Sequence, residues 1–138
     1  MIKTGYFAKF KGDNGVAICL YPPKYFKGET YQPLSPTPQI MEWWKSSAQD
    51  AKAQNIYRRL YYRDVLNNLN VHDVARALDG KTLLCFERPD EFCHRHIVAE
   101  WLNTNGYKCE EMEYTNEQEL YEFYGRLYEI FGDDLKII

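Results

Sequence analysis

Glu87, Cys93, His94 and Arg95 stand close together in the stretch CFERPDEFCHRHI, residues 85–97. Each brings a different capability. A carboxyl group can give or take a proton, a thiolate can attack carbon, and an imidazole can orient or share the proton. A guanidinium offers a fork of donors to an anion. Together they point to the binding of a small anion and to proton-assisted or covalent chemistry upon it.

Two elements must position these groups. Residues 81–87, KTLLCFE, are apolar on both faces, with Thr82, Leu84 and Phe86 on one and Leu83 and Cys85 on the other. That pattern predicts a central strand covered on both sides. Residues 93–105 carry Ile97, Val98, Trp101 and Leu102 at helical spacing and stop before Gly106. In open α/β sheets ligands bind beyond the carboxyl ends of strands, where Glu87 falls. A helix starting there adds unpaired N–H groups and a positive dipole end, an anion site in principle. At 100° per residue His94 falls near the inward face, with Cys93 and Arg95 roughly 90–110° to either side, lining the flanks. Each residue also has a plainer use. His94 could be a hydrogen-bonded core histidine, Cys93 a small hydrophobe, and Arg95 a partner for Glu87 or Asp90.

The other elements are less regular. Residues 2–10 are β-rich, and Asn14-Gly15 ahead of VAICLY predicts a tight antiparallel hairpin. Residues 22–38 hold five prolines and predict a long surface loop. Helices follow over 38–47, 55–69 and 70–80. The second has Ile56, Leu60 and Leu66 near one face with Val65 and Leu69 beside it; the third has Asn70 as N-cap and Gly80 as its stop. Residues 107–114 read as a polar edge strand, and 116–132 as a final helix with Leu120, Phe123, Tyr124, Leu127, Ile130 and Phe131 on its core face. The expected fold is a single α/β domain over 1–138: a mixed sheet with an N-terminal β-hairpin, a βαβ unit at 81–114 and helices packed on the sheet.

Composition bounds the function. A net charge of −3 argues against holding nucleic acid by bulk phosphate neutralisation, so any such contact must be local. IYRRLYYR, residues 56–63, could supply a patch by interleaving Tyr57, Tyr61 and Tyr62 with Arg58, Arg59 and Arg63, or be a solvated helix face. No apolar run is long enough to span a membrane, no signal peptide is evident, and the four cysteines read as reduced thiols of a cytoplasmic protein. A zinc site could draw on Cys93, His96 and Glu100 with Cys85 and Cys109 approaching. Against it, the chain has no Cys-x-x-Cys pair, and the adjacency of Cys93 and His94 should splay ligands apart. Glycine-rich phosphate loops, a Gly-x-Ser-x-Gly elbow and a Cys-x5-Arg phosphatase loop at this junction are absent too.

TLLCFERPDEFCHRHIVAEWL resembles the Cys-His-Arg signature of the domain-of-unknown-function 488 family of bacteria and archaea, in which a strand ending Leu-Leu-Cys-x-Glu leads to Cys-His-Arg at a helix start. Here those positions are Cys85, Glu87, Cys93, His94 and Arg95. TGYFAKF resembles the family's opening strand, with Gly5 where a serine is common. PPKYFKGETYQPLSP and IYRRLYYRDVLNNL resemble its proline-aromatic loop and tyrosine helix. The resemblance implies where a site lies and implies no particular reaction.

The function expected from the sequence is an enzyme acting on a small phosphate- or nucleotide-like ligand at the 81–87/93–105 junction. Glu87, Cys93, His94 and Arg95 are the catalytic candidates; Arg95, Tyr6, Tyr57 and Tyr61 are the ligand contacts. No cofactor and no metal are expected. The alternatives are a non-catalytic phosphate- or nucleic-acid-binding module and a zinc-binding domain.

Overall fold

The computed structural model describes residues 1–114, so the helix expected over 116–132 lies outside the described residues. Five strands form one sheet: β1 (Ile2–Tyr6), β2 (Gly15–Ala17), β3 (Glu29–Thr30), β4 (Thr82–Cys85) and β5 (Cys109–Glu111). Four helices accompany them: α1 (Pro38–Ser46), α2 (Ala51–Asp64), α3 (Val71–Leu78) and α4 (His94–Thr104). The strand order is β3-β2-β4-β1-β5. β4 takes the middle with all four residues buried, as its two apolar faces require, and the polar β5 lies at an edge.

The α/β class and the packing of helices on the sheet are as expected, but the sheet is parallel throughout rather than mixed. The N-terminal hairpin does not form. A tight turn at Asn14-Gly15 would need positive φ at both residues, and neither adopts it. Instead the Asn14 carbonyl accepts from Thr82 N at 3.0 Å and its amide donates to Gly80 O at 2.8 Å, pinning the start of β2 to the start of β4. β4 then occupies the place between β1 and β2, pairing Lys3 with Thr82 on one side and Gly15 with Thr82 on the other. The unit β4-α4-β5 joins parallel strands as foreseen, with β1 lying between them.

The core divides across the sheet. On one face Val16, Ile18, Leu83 and Cys85 pack with buried residues from α1, α2, α3 and α4. On the other, Leu84, Ala17 and Cys19 pack with Phe7, Phe10 and Phe26. Residues 22–38 run mostly over the surface, as their prolines suggest. They include β3 and a 3₁₀ turn at Gln32–Leu34, and Leu34 is fully buried.

α2 turns a different face inward from the one its aliphatic residues suggest. Ala53, Tyr57 and Tyr61 are buried, while Ile56 is 37% exposed. Tyr61 can lie inside because its polar end has a partner, and Tyr57 because its ring packs among other rings. Tyr61 donates its hydroxyl to Leu34 O at 2.6 Å, and Tyr57 sets its ring edge-on to Trp44 and Phe92. The termini follow the sequence more closely. Asn70 caps α3 by accepting from His72 N and Asp73 N, and Gly80 and Gly106 take the positive φ that ends α3 and α4.

Candidate active site

Three chain segments meet where β2 and β4 end and α4 begins. β4 delivers Cys85, the residues after β2 deliver the Ile18 carbonyl and Cys19, and α4 delivers Cys93 and His94. Cys93 is the N-cap of α4, with extended φ and ψ of −154° and 144°, and its sulfur accepts from Arg95 N at 3.5 Å. A sulfur so placed lies on the positive end of the helix, which favours the thiolate.

His94 points inward, as its helical phase predicts, and is buried. Its Nε2 lies 2.7 Å from the Ile18 carbonyl. A carbonyl oxygen can only accept, so Nε2 carries the hydrogen whatever the charge of the ring. The other nitrogen, Nδ1, lies 3.9 Å from Cys93 Sγ, while Cys85 Sγ is almost equally far from both ring nitrogens, 3.8 Å from Nδ1 and 3.7 Å from Nε2.

The two thiols are driven apart in acidity. Burial opposes ionisation at Cys93, yet the hydrogen bonds from Cys85 and His94 and the positive charge of His94 and Arg95 hold its pKa well below the usual thiol range. Cys85 is pushed well above that range by burial and by its hydrogen bond to Cys93. Burial acts against the charged form of His94 as well, but the Cys93 sulfur outweighs it and raises the pKa. These directions favour a Cys93 thiolate beside a protonated His94, with Cys85 as the neutral donor.

Arg95 departs from its expected place. It separates from His94 around the helix as foreseen, but its side chain is fully buried and turned toward β5, away from the mouth. Nε and Nη2 donate to the two Glu111 oxygens at 3.1 and 2.9 Å, and Nη1 donates to the Glu87 carbonyl at 2.7 Å. Glu111 also accepts from Thr4 Oγ1 at 2.7 Å and from the Tyr114 hydroxyl at 2.8 Å. Arg95 thus ties the β4–α4 connection to the edge strand. Glu111, Thr4 and the Ile18 carbonyl were not apparent from the sequence. Glu111 is one of several acids in residues 110–113, and a backbone carbonyl leaves no trace in residue type. Gly5 has a structural use: a Cβ there would lie 2.5 Å from Met112 Sδ, so the missing side chain admits Met112.

A cavity of about 50 Å³ opens beside the sulfurs, lined by Cys19, Trp44, Tyr57, Glu87, Phe92, Cys93 and His94 among others. Glu87 lies two residues beyond β4, half-buried, with its pKa raised to about 7 by burial and by Cys93. Of the other ligand candidates, Tyr57 lines the cavity. Tyr61 lies behind it, fully buried against His94, and Tyr6 is set apart against Tyr114. In the tyrosine helix Arg58 pairs with Glu100 and Arg63 with Asp64.

A raised carboxyl pKa costs stability as the pH climbs. Folded Glu87 holds its proton up to about pH 7, whereas the unfolded chain releases it near 4.5, so stability contributed by the neutral form is complete below 4.5 and is lost as pH rises through 7. Glu87→Gln should therefore raise stability at pH 8 by roughly 1–2 kcal/mol, allowing for partial exposure, and change it little at pH 4. Thermal melts of both proteins at the two pH values check this; equal gains at both would mean that Glu87 titrates normally.

Among the described residues, Cys85, Cys93 and His94 are the group whose ligand atoms, all within 4.8 Å of one another, could share a metal ion. The set considered from the sequence does not assemble: Glu100 pairs with Arg58, and His96 and Cys109 lie outside the group.

A parallel α/β sheet with a thiol–imidazole junction at its carboxyl edge defines the class of the protein. The model of the active DUF488-N3 subclade matches residues 14–106, more than half of the chain, so the chain belongs to the domain-of-unknown-function 488 (DUF488) family. No curated protein and no solved structure matches it. No helix among the described residues is long and apolar enough to cross a membrane.

Proposed function

We propose that the chain is a cysteine-dependent hydrolase or transferase acting on a small ligand at the β4–α4 junction. The observation that carries this reading is the Cys93 sulfur at the N-cap of α4, facing His94 Nδ1 and opening on a cavity that also holds Glu87. Cys93 attacks an electrophilic carbon of the ligand, and Glu87, protonated in part at neutral pH, gives its proton to the leaving group. Water or a second substrate then attacks the thioester or thioether carbon, Glu87 takes its proton, and the Cys93 thiolate departs. Arg95 acts as a positioning residue, because three of its N–H groups are spent on Glu111 and the Glu87 carbonyl. A phosphate- or nucleotide-like ligand would therefore meet the positive end of α4 before it met Arg95, with only its reacting group inside so small a cavity. The subclade's description as active accords with this reading, and the four free thiols support a reducing compartment such as the cytoplasm.

The test is the pH profile of iodoacetamide alkylation at Cys93, followed by peptide mass in metal-free buffer. Restricted access slows the reaction equally at every pH, so the midpoint reads the thiolate. It should fall well below the roughly 8.5 of a free thiol, and Cys93→Ser should remove the early phase. A midpoint at the free-thiol value would leave a non-catalytic binding module as the better account. The nucleic-acid version of that module draws less support, since Arg58 and Arg63 of the tyrosine helix are engaged by neighbouring carboxylates.

A further inference from the structure

We propose that Cys85, Cys93 and His94 form a site for one zinc ion or a cation of similar softness, with a fourth position open toward the cavity. The inference uses the residues of the enzyme reading but not the assumption that Cys93 attacks a ligand.

The distances suit zinc. Zinc bonds of about 2.3 Å to sulfur and 2.0–2.1 Å to nitrogen give, at tetrahedral angles, an S···N edge of roughly 3.6 Å and an S···S edge of roughly 3.8 Å. From Nδ1 the S···N separations are 3.8 Å to Cys85 and 3.9 Å to Cys93, Cys85 Sγ lies 3.7 Å from Nε2 as well, and the three ligand atoms lie within 4.8 Å of one another. Contraction by a few tenths of an ångström closes the S···N edges to Nδ1, and a turn of the Cys85 side chain toward Nδ1 completes the set. The adjacency of Cys93 and His94 does not splay the ligands, because Cys93 is an extended cap residue and His94 the first helical one.

The imidazole is already prepared. Ligating histidines are held by an outer-shell acceptor on the far nitrogen, and the Ile18 carbonyl fills that place at 2.7 Å from Nε2, leaving Nδ1 to bind. Two thiolates and an imidazole select zinc or Cu(I) over magnesium or calcium. Three protein ligands with a fourth position facing a cavity is the arrangement of catalytic rather than structural zinc, and Glu87 lines that cavity. Binding displaces two protons to solvent, one from the Cys85 thiol and one from Nδ1 of the His94 imidazolium. It also occupies the sulfur lone pairs of Cys93, so metal and alkylating agent exclude one another.

The full-length chain, treated with EDTA and dialysed, is titrated with Co²⁺. One equivalent should produce an intense thiolate-to-cobalt absorption with tetrahedral d–d bands, and Zn²⁺ should bleach both. Cys85→Ser should weaken binding by at least about 100-fold, judging from the smaller losses caused by outer-shell changes alone. Cys109→Ser, on β5 and outside the cluster, should bind as the parent does. Lack of a thiolate–cobalt band in the parent, or unchanged binding in a folded Cys85→Ser variant, overturns the site. The two proposals fail separately. Bound zinc with an ordinary alkylation midpoint sinks the enzyme reading alone, and an early midpoint without metal binding sinks the zinc site alone.

Discussion

Replacing Arg95 by methionine is expected to lower the unfolding free energy by about 3–5 kcal/mol, the loss typical when one partner of a buried ion pair is removed. Methionine fills much of the volume but offers no donor. The Glu111 carboxylate would keep only Thr4 and Tyr114, and the Glu87 carbonyl would lose its donor. Glu111 is a carboxylate whose burial is outweighed by Arg95 and Thr4, so its pKa lies below the usual value. Its stabilising contribution is present above pH 4.5 and is lost as the pH falls below that. Urea unfolding at pH 7 measures the loss, and the double variant Arg95→Met/Glu111→Gln should recover part of it, since each partner's cost depends on the other. A loss under about 1 kcal/mol would place the pair with ordinary surface bridges.

His94→Asn is expected to move the alkylation midpoint of Cys93 upward and to slow the reaction at pH 6 about tenfold or more, as the thiolate fraction falls. Asparagine is too short to span Ile18 O and the sulfurs together, so the ion pair and the link to the β2 end are lost at once. The unpaired Ile18 carbonyl adds a stability cost of about 1–3 kcal/mol. The pH profile separates the two effects, because a merely structural loss would lower the melting temperature and leave the midpoint in place. An unmoved midpoint would assign the acidity of Cys93 to Cys85, Arg95 and the helix end without His94.

Features set by local chemistry could be read directly. The two apolar faces of residues 82–85 place β4 at the centre, and Asn70, Gly80 and Gly106 mark helix ends through their own side chains or lack of one. The inward aim of His94 follows from helical phase. Features that depend on distant partners could not be read. Asn14-Gly15 has the composition of a hairpin turn, but β4, made much later in the chain, competes for both strands and wins them. The α2 face is chosen by the Leu34 carbonyl, which gives Tyr61 a partner and leaves Ile56 at the surface. Arg95 invited an anion from outside, and Glu111 supplied one from within.

The strand order also sets a timetable. β1 has no partner until β4 exists, since Lys3 pairs with Thr82 and Tyr6 with Cys85. β2 can pair early with β3, Val16 with Glu29, but its other side waits for Thr82–Leu84. At translation rates of about 5–20 residues per second, the opening strand waits roughly 4–16 s on the ribosome before its neighbour emerges. Ile2 and Tyr6, buried in the finished sheet, are open to chaperones throughout that interval. The sheet therefore closes in one late step around β4, and the many long-range contacts so formed make its folding slow compared with a helical domain of equal size.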